Sequence, residues 1–149
     1  MSYRQILIVL LSTMMSSLFA VTATAQQLLS SSADAEMLSK RFAQSIVKGD
    51  YANGARELQM FAIMDTVAVA NAMRVLPDLI TKHVLANGPL LEVDLISSTT
   101  KGKTFIRHAY ALKSMFDALR CVVVFYKGSK GWAVHSFTID DRIQDELSK

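Results

Sequence analysis

Cysteine is nearly missing from this chain: its 149 residues include one, Cys121. A single thiol cannot close an internal disulfide, so the fold is held without covalent cross-links. The run Cys121-Val122-Val123-Val124-Phe125 has the composition of a strand. A free Cys there reads as a small buried hydrophobe rather than a nucleophile, which would need an accessible, electropositive setting. Clustered positive charge is also absent. Sixteen Lys and Arg against 13 Asp and Glu give a net charge of +3, and no three cations adjoin. Nucleic-acid surfaces need a dense basic stripe, so nucleic acid is not an expected partner. The three histidines, His83, His108 and His135, are far apart and lack the close spacing of metal ligands. No metal and no cofactor are expected. Internal repeats and low-complexity tracts are absent too, which excludes solenoids.

What is present begins with an apolar N-terminus. Met1-Ser2-Tyr3-Arg4 carries one positive charge, and an apolar stretch from Ile6 to about Val21 follows it. Thr22-Ala23-Thr24-Ala25 then places small residues where a signal peptidase reads them. This is the grammar of a cleavable signal peptide at 1–25, with cleavage before Gln26 and rival sites after Ala20 or Ala23. An uncleaved anchor is the alternative, but Ser12, Thr13, Ser16 and Ser17 interrupt the stretch. A spanning helix needs roughly 20 predominantly apolar residues, and nothing after residue 26 supplies them. The expectation is an exported protein, periplasmic or secreted, without a membrane anchor once processed.

Residues 26–32 read as a flexible leader, 33–142 as a single α+β domain and 143–149 as a charged, frayed tail. Leu38, Phe42, Ala43, Ile46 and Val47 recur at helical spacing and predict a helix over 33–48, stopped by Gly49. A second helix is expected over 51–64 with Leu58, Phe61 and Ala62 inward, its start weakened by Gly54. A third is expected over 66–86, capped by Asp65 or Thr66 and kinked or broken near Pro77, which lacks a backbone donor. Asn87-Gly88-Pro89 ends helix. From Leu90 the pattern alternates, predicting strands over 90–99, 104–113, 119–126 and 132–139. Helices first and strands afterwards mean α+β with an antiparallel four-stranded meander. If Tyr126 opposes Trp132 in the last hairpin, Val123 faces His135 and Cys121 faces Phe137. Ala133, His135, Phe137 and Ile139 then share a face with Leu119, Cys121, Val123 and Phe125. Arg120 would lie on the other face with Trp132, Val134 and Thr138.

Three segments carry a family likeness. Phe42-Ala43-Gln44-Ser45-Ile46-Val47-Lys48-Gly49-Asp50-Tyr51-Ala52 ends one helix in Gly-Asp-Tyr and enters another. Gly88-Pro89-Leu90 joins helix to sheet, and Gly131-Trp132-Ala133-Val134 with Phe137 closes the sheet. Over 33–142 the chain resembles the cystatin-like, nuclear transport factor 2-like superfamily, in particular its small exported domains of unknown function. The resemblance implies a cone: helices packed on a bent four-stranded antiparallel sheet, often with a pocket at the open end. It also implies a choice among SnoaL-like isomerases, assembly proteins and binding modules, and homodimers formed through the sheet.

The residues weigh against catalysis. Asp65 reads as a helix cap and Asp94 as the solvent side of a strand. With Tyr110 and Tyr126 they do not match the catalytic positions that the resemblance implies for an isomerase. His83 could serve in the His–Asp pair of a dehydratase, but a lone His is more often a surface or hydrogen-bonded core residue than a base. The inward positions are dominated by Leu, Val, Phe, Ile and Ala. Few polar groups on an apolar lining suit a binding pocket. The candidates for that lining are His108, Tyr110 and His135. The methionines Met37, Met60, Met64, Met73 and Met115 suit either core gaps or an adaptable binding surface. The expectation is a non-catalytic binding or protein-interaction domain, holding a small apolar ligand or a protein partner, with homodimerisation open. The alternative is a small isomerase or dehydratase.

Overall fold

The structure is a computed structural model that describes residues 27–148. The expected signal peptide lies outside the described residues. The chain forms α1 (Ser32–Val47), α2 (Tyr51–Met60) and α3 (Thr66–Asn87). Then come β1 (Glu92–Lys101), β2 (Phe105–Lys113), β3 (Ala118–Lys127), β4 (Trp132–Asp140) and a last helical turn, α4 (Gln144–Leu147). The strands pair in sequence order as one open antiparallel sheet. The architecture is α+β, helices before sheet.

Ser31 starts α1 through a capping box: its hydroxyl accepts from Asp34 N–H at 3.1 Å, and Asp34 Oδ2 accepts from Ser31 N–H at 3.0 Å. The buried face of α1 is Ala35, Leu38, Ser39, Phe42, Ala43 and Ile46. It joins Leu58, Leu76 and Ile80 from the other helices, and Ile106, Tyr110, Leu112, Leu119, Cys121, Val123, Phe125, Trp132 and Val134 from the sheet. Each large apolar side chain buried there contributes about 1.5–3 kcal/mol. Gly54 lets α2 approach α1. A Cβ at that position would lie 2.0 Å from Ser45 Oγ and 3.3 Å from the Phe42 ring.

Four expectations change. Of the kink or break expected near Pro77, the break does not occur: helix α3 is continuous from Thr66 to Asn87 with Pro77 inside it, so proline removes one donor without ending the helix. Helix α2 stops at Met60 rather than 64, because Phe61 and Ile63 turn to the sheet: Phe61 O accepts from Val134 N–H at 2.8 Å, and Ile63 N–H donates to Val134 O at 2.9 Å. In the last hairpin Lys127, not Tyr126, opposes Trp132, and a bulge at His135 shifts the ladder again, so that Val123 opposes Phe137 and Cys121 opposes Ile139. Trp132 and Val134 therefore join the core with Phe125, while Ala133 and His135 leave the face assigned to them. A one-residue slip inverts every side chain, and the bulge inverts the later ones back. The segments at either end are also tied down. Leu29, in the supposed leader, pairs with Trp132 through two backbone bonds of 2.8 Å. In the supposed frayed tail, Ile143 and Glu146 are buried.

Among the described residues no helix is long and apolar enough to cross a membrane.

Candidate functional site

Of the three candidate lining residues, two come together and one does not. His108 and Tyr110 sit two apart on β2, both on the face toward α1, at 2 % and 1 % exposure. Ser39 of α1 joins them: its hydroxyl lies 2.9 Å from His108 Nδ1 and 2.9 Å from the Tyr110 hydroxyl, and donates to Glu36 O at 2.9 Å. With the Ser39 proton on that carbonyl, His108 Nδ1–H is the donor to Oγ, while the single Tyr110 O–H proton is shared between Oγ and Glu36 O, 3.3 Å away. Burial pushes the His108 imidazole below its ordinary value, with the nearby Glu36 opposing. Burial likewise raises the Tyr110 phenol. Ser39 is fully buried, so this serine–histidine pair has no access for a substrate. Helical spacing could have found Ser39, since it lies four residues after Ala35 and three before Phe42 on the same stripe.

His135 is the bulge residue, exposed, its ring edge-on to Phe105 with centroids 5.8 Å apart. It lies away from the other two. Cys121 is fully buried, and burial pushes its thiol up to about 12. His83 meets no carboxylate. Its Nε2 is 2.8 Å from Ser114 Oγ and its Nδ1 3.3 Å from Asn87 Nδ2, which ties the end of α3 to the β2–β3 turn. Asp65 caps α3 by accepting from Val67 N–H at 3.0 Å, and exposed Asp94 pairs with Lys113 at 2.9 Å. Among the described residues no three His, Cys, Asp or Glu gather as metal ligands do.

On the opposite face of the sheet each strand contributes one polar group to a cluster that the sequence did not suggest. Arg120 donates to both oxygens of Asp140, at 2.9 and 2.7 Å, and to Glu146 Oε1 at 2.9 Å. Arg107 also donates to both Glu146 oxygens, and Ser97 Oγ approaches Oε2 at 3.5 Å. The Glu146 side chain is 1 % exposed and that of Arg120 8 %. Burial works against the Asp140 carboxylate, but the bonds from Arg120 and Arg142 outweigh it and hold the carboxyl below its usual range. The cluster is internally paired and clamps α4 onto the sheet.

Clefts lined by the described residues include two with mostly apolar walls. One, of about 240 Å³, lies between the α1–α2 junction and the end of α3, lined by Val47, Lys48, Tyr51, Ile80, Val84 and Leu90 among others. The second, of about 190 Å³, lies between α3 and β4. Ala72, Met73, Val75, Leu76 and Leu79 form one wall, and Phe137, Thr138 and Ile139 the other. It has no ionisable lining residue. Its wall residues were legible as a helical stripe and a strand. That the two leave a gap between them is a matter of packing distance, which no sequence pattern encodes. Comparison with protein-family models, curated proteins and solved structures finds no match to this chain.

Proposed function

We propose that this chain is an exported, non-catalytic binding domain that takes up an apolar group of a partner, built on the cone-shaped nuclear transport factor 2-like variant of the α+β arrangement. Residues 1–25 are its signal peptide, and the mature domain works in the periplasm or outside the cell. The observation that carries the binding role is the cleft between α3 and β4, apolar on both walls. Reaction sites gather titratable groups in a concavity. Here the polar trio of Ser39, His108 and Tyr110 is sealed in the core instead. At about 190 Å³ the cleft is smaller than the roughly 300–1,000 Å³ of sites for drug-sized ligands. It suits one large side chain or a short alkyl chain.

The test is a titration with 1-hexanol followed by amide chemical shifts. Six buried carbons contribute about 5 kcal/mol, which sets a dissociation constant on the order of 0.2 mM. Shifts should concentrate at 72–79 and 137–139 and weaken in Val75→Glu, a substitution at a half-exposed wall position. Hexanol shifts scattered over the surface, or none, would remove the cleft as a binding site.

A further inference from the structure

We propose that the second half of the β4 edge, Ser136–Asp140, is a strand-addition site for an extended segment of a partner protein, with one apolar side chain of that segment seated in the cleft against α3. This rests on the reading of that cleft as a binding site and specifies what fills it.

Strand β4 ends the sheet, and its outer edge divides in two. The chain covers the first half itself. Leu29 exchanges two backbone hydrogen bonds with Trp132, and residues 61–63 exchange two with Val134. Trp132, Ala133 and Val134 are buried under these additions. After the His135 bulge the covering stops. No described backbone or side-chain group bonds the outer edge over Ser136–Ile139, and every residue from His135 to Asp140 is at least partly exposed. Unpaired edges are templates for another strand unless charge, proline or a bulge blunts them. Strand β1, at the other edge, carries Glu92, Asp94 and Lys101. Ser136-Phe137-Thr138-Ile139 carries neither charge nor proline, and the bulge at His135 lies before it, so the four residues continue the ladder opposite Val124 to Cys121 without a further irregularity.

The cleft lies on this same stretch. Phe137 and Ile139 share the core face and Thr138 lies between them, so the recess runs along the same four residues whose outer backbone is unpaired. Met73, Leu76 and Leu79 of α3 form its far wall. An incoming strand thus meets a row of amide donors and carbonyl acceptors on one side and an apolar recess on the other. Backbone bonds with pockets for alternate side chains are the terms of β-strand addition. A lipid or alkyl ligand would fill the recess and leave the edge unpaired; another backbone satisfies both. Four residues span about 13 Å of strand, so the partner needs a segment of four or five residues.

Panning a random twelve-residue peptide library on the exported chain tests this. The enriched peptides should alternate apolar and polar residues without proline at the centre. Their binding should slow amide hydrogen exchange within 136–140. N-methylation of alternate backbone amides, with side chains unchanged, should weaken binding at least tenfold, and so should Val75→Glu. The proposal is overturned by no enrichment, by enriched peptides that tolerate N-methylation, by protection elsewhere, or by β4-to-β4 dimers of the chain itself in light scattering. Hexanol binding in the cleft without peptide enrichment would remove strand addition alone. Loss of both responses would remove the binding role with it.

Discussion

Ser39, His108 and Tyr110 show how burial decides what a polar residue does. A serine hydroxyl 2.9 Å from an imidazole nitrogen is the geometry of a nucleophile and its base, yet all three side chains are closed off from solvent. The pair acts as a hydrogen-bonded pin between α1 and β2, and its cost is a histidine that resists protonation. The folded imidazole binds its proton less readily than the ordinary 6.5. The unfolded chain therefore binds that proton first, and protonation favours unfolding. The His108 contribution is complete above about pH 6.5 and is lost as pH falls from there toward the folded value. Urea unfolding at pH 7.5 and 5.5 should show a lower midpoint at pH 5.5. His108→Gln, which keeps a polar side chain for Ser39, should flatten that difference. An unchanged pH dependence in the variant would assign the loss to other groups. Cys121 gives a simpler expectation: with its thiol at about 12 and no exposure, it should stay unmodified by iodoacetamide at pH 8 until the chain unfolds.

Elements meet where two propensities disagree. Gly54 lies inside α2, where alanine is ordinarily better by roughly 0.5–1 kcal/mol. Here the added Cβ would strike Ser45 Oγ at 2.0 Å and crowd Ser45 Cβ at 3.1 Å. Helix propensity loses to contact: Gly54→Ala should destabilise by about 1–3 kcal/mol, the usual range for an overpacked core. Ser45→Ala should recover part of that in the double variant, as a thermal-melt cycle would show. The turn α4 offers a second case. Glu146 is the shared acceptor of Arg107 and Arg120, so Glu146→Ala leaves a buried guanidinium short of its partner at about 3 kcal/mol. Leu147→Ala, at an exposed position, should stay within about 0.5 kcal/mol in the same melts. The sequence disclosed the elements better than their joints. Alternation placed all four strands within two residues of their observed bounds, and the Leu38–Phe42–Ile46 stripe placed α1. Gly54 was legible as a helix weakener, but not as the point where α1 and α2 touch. The hairpin register was misplaced because Lys127 and the bulge at His135 are compatible with the same alternation. That slip put His135 beside Val123 and made it a lining residue. The pairing of Glu146 with two arginines on separate strands is a tertiary fact that no local pattern carries.

At the scale of the whole molecule, the start of the folded unit bears on the expected export. Leu29 is buried and bonded at both its N–H and C=O to Trp132, and Gly131 is shaped for that approach. A Cβ on Gly131 would lie 2.7 Å from Leu29 O, and its φ of +152° lies in the range glycine favours. Among the described residues the bonded structure is already present at Gln27, whose N–H donates to Met60 O at 3.2 Å. Processing after Ala20, Ala23 or Ala25 spares Leu29 in every case, so the choice of site should not change stability. A chain beginning at Gln26 and one beginning at Val21 should melt together. A chain beginning at Ser30 keeps the Ser31 cap of α1 but loses the Leu29 strand and leaves Trp132 N–H without its acceptor. It gives up about 1.5–3 kcal/mol of side-chain burial and about 1 kcal/mol for each of three backbone bonds, two from Leu29 and one from Gln27 to Met60. Exposing the edge at Trp132 also adds to the unpaired length of β4, although residues 61–63 still cover Val134, and this should raise its tendency to aggregate on heating. N-terminal sequencing of the protein from the host's exported fraction, beside melting curves of the three chains, decides the matter. A start at Gln26 with a destabilised Ser30 chain is the expected pair of results. An intact Met1 in the membrane fraction would defeat the export reading, and equal melting of all three chains would show that Leu29 does not hold the edge.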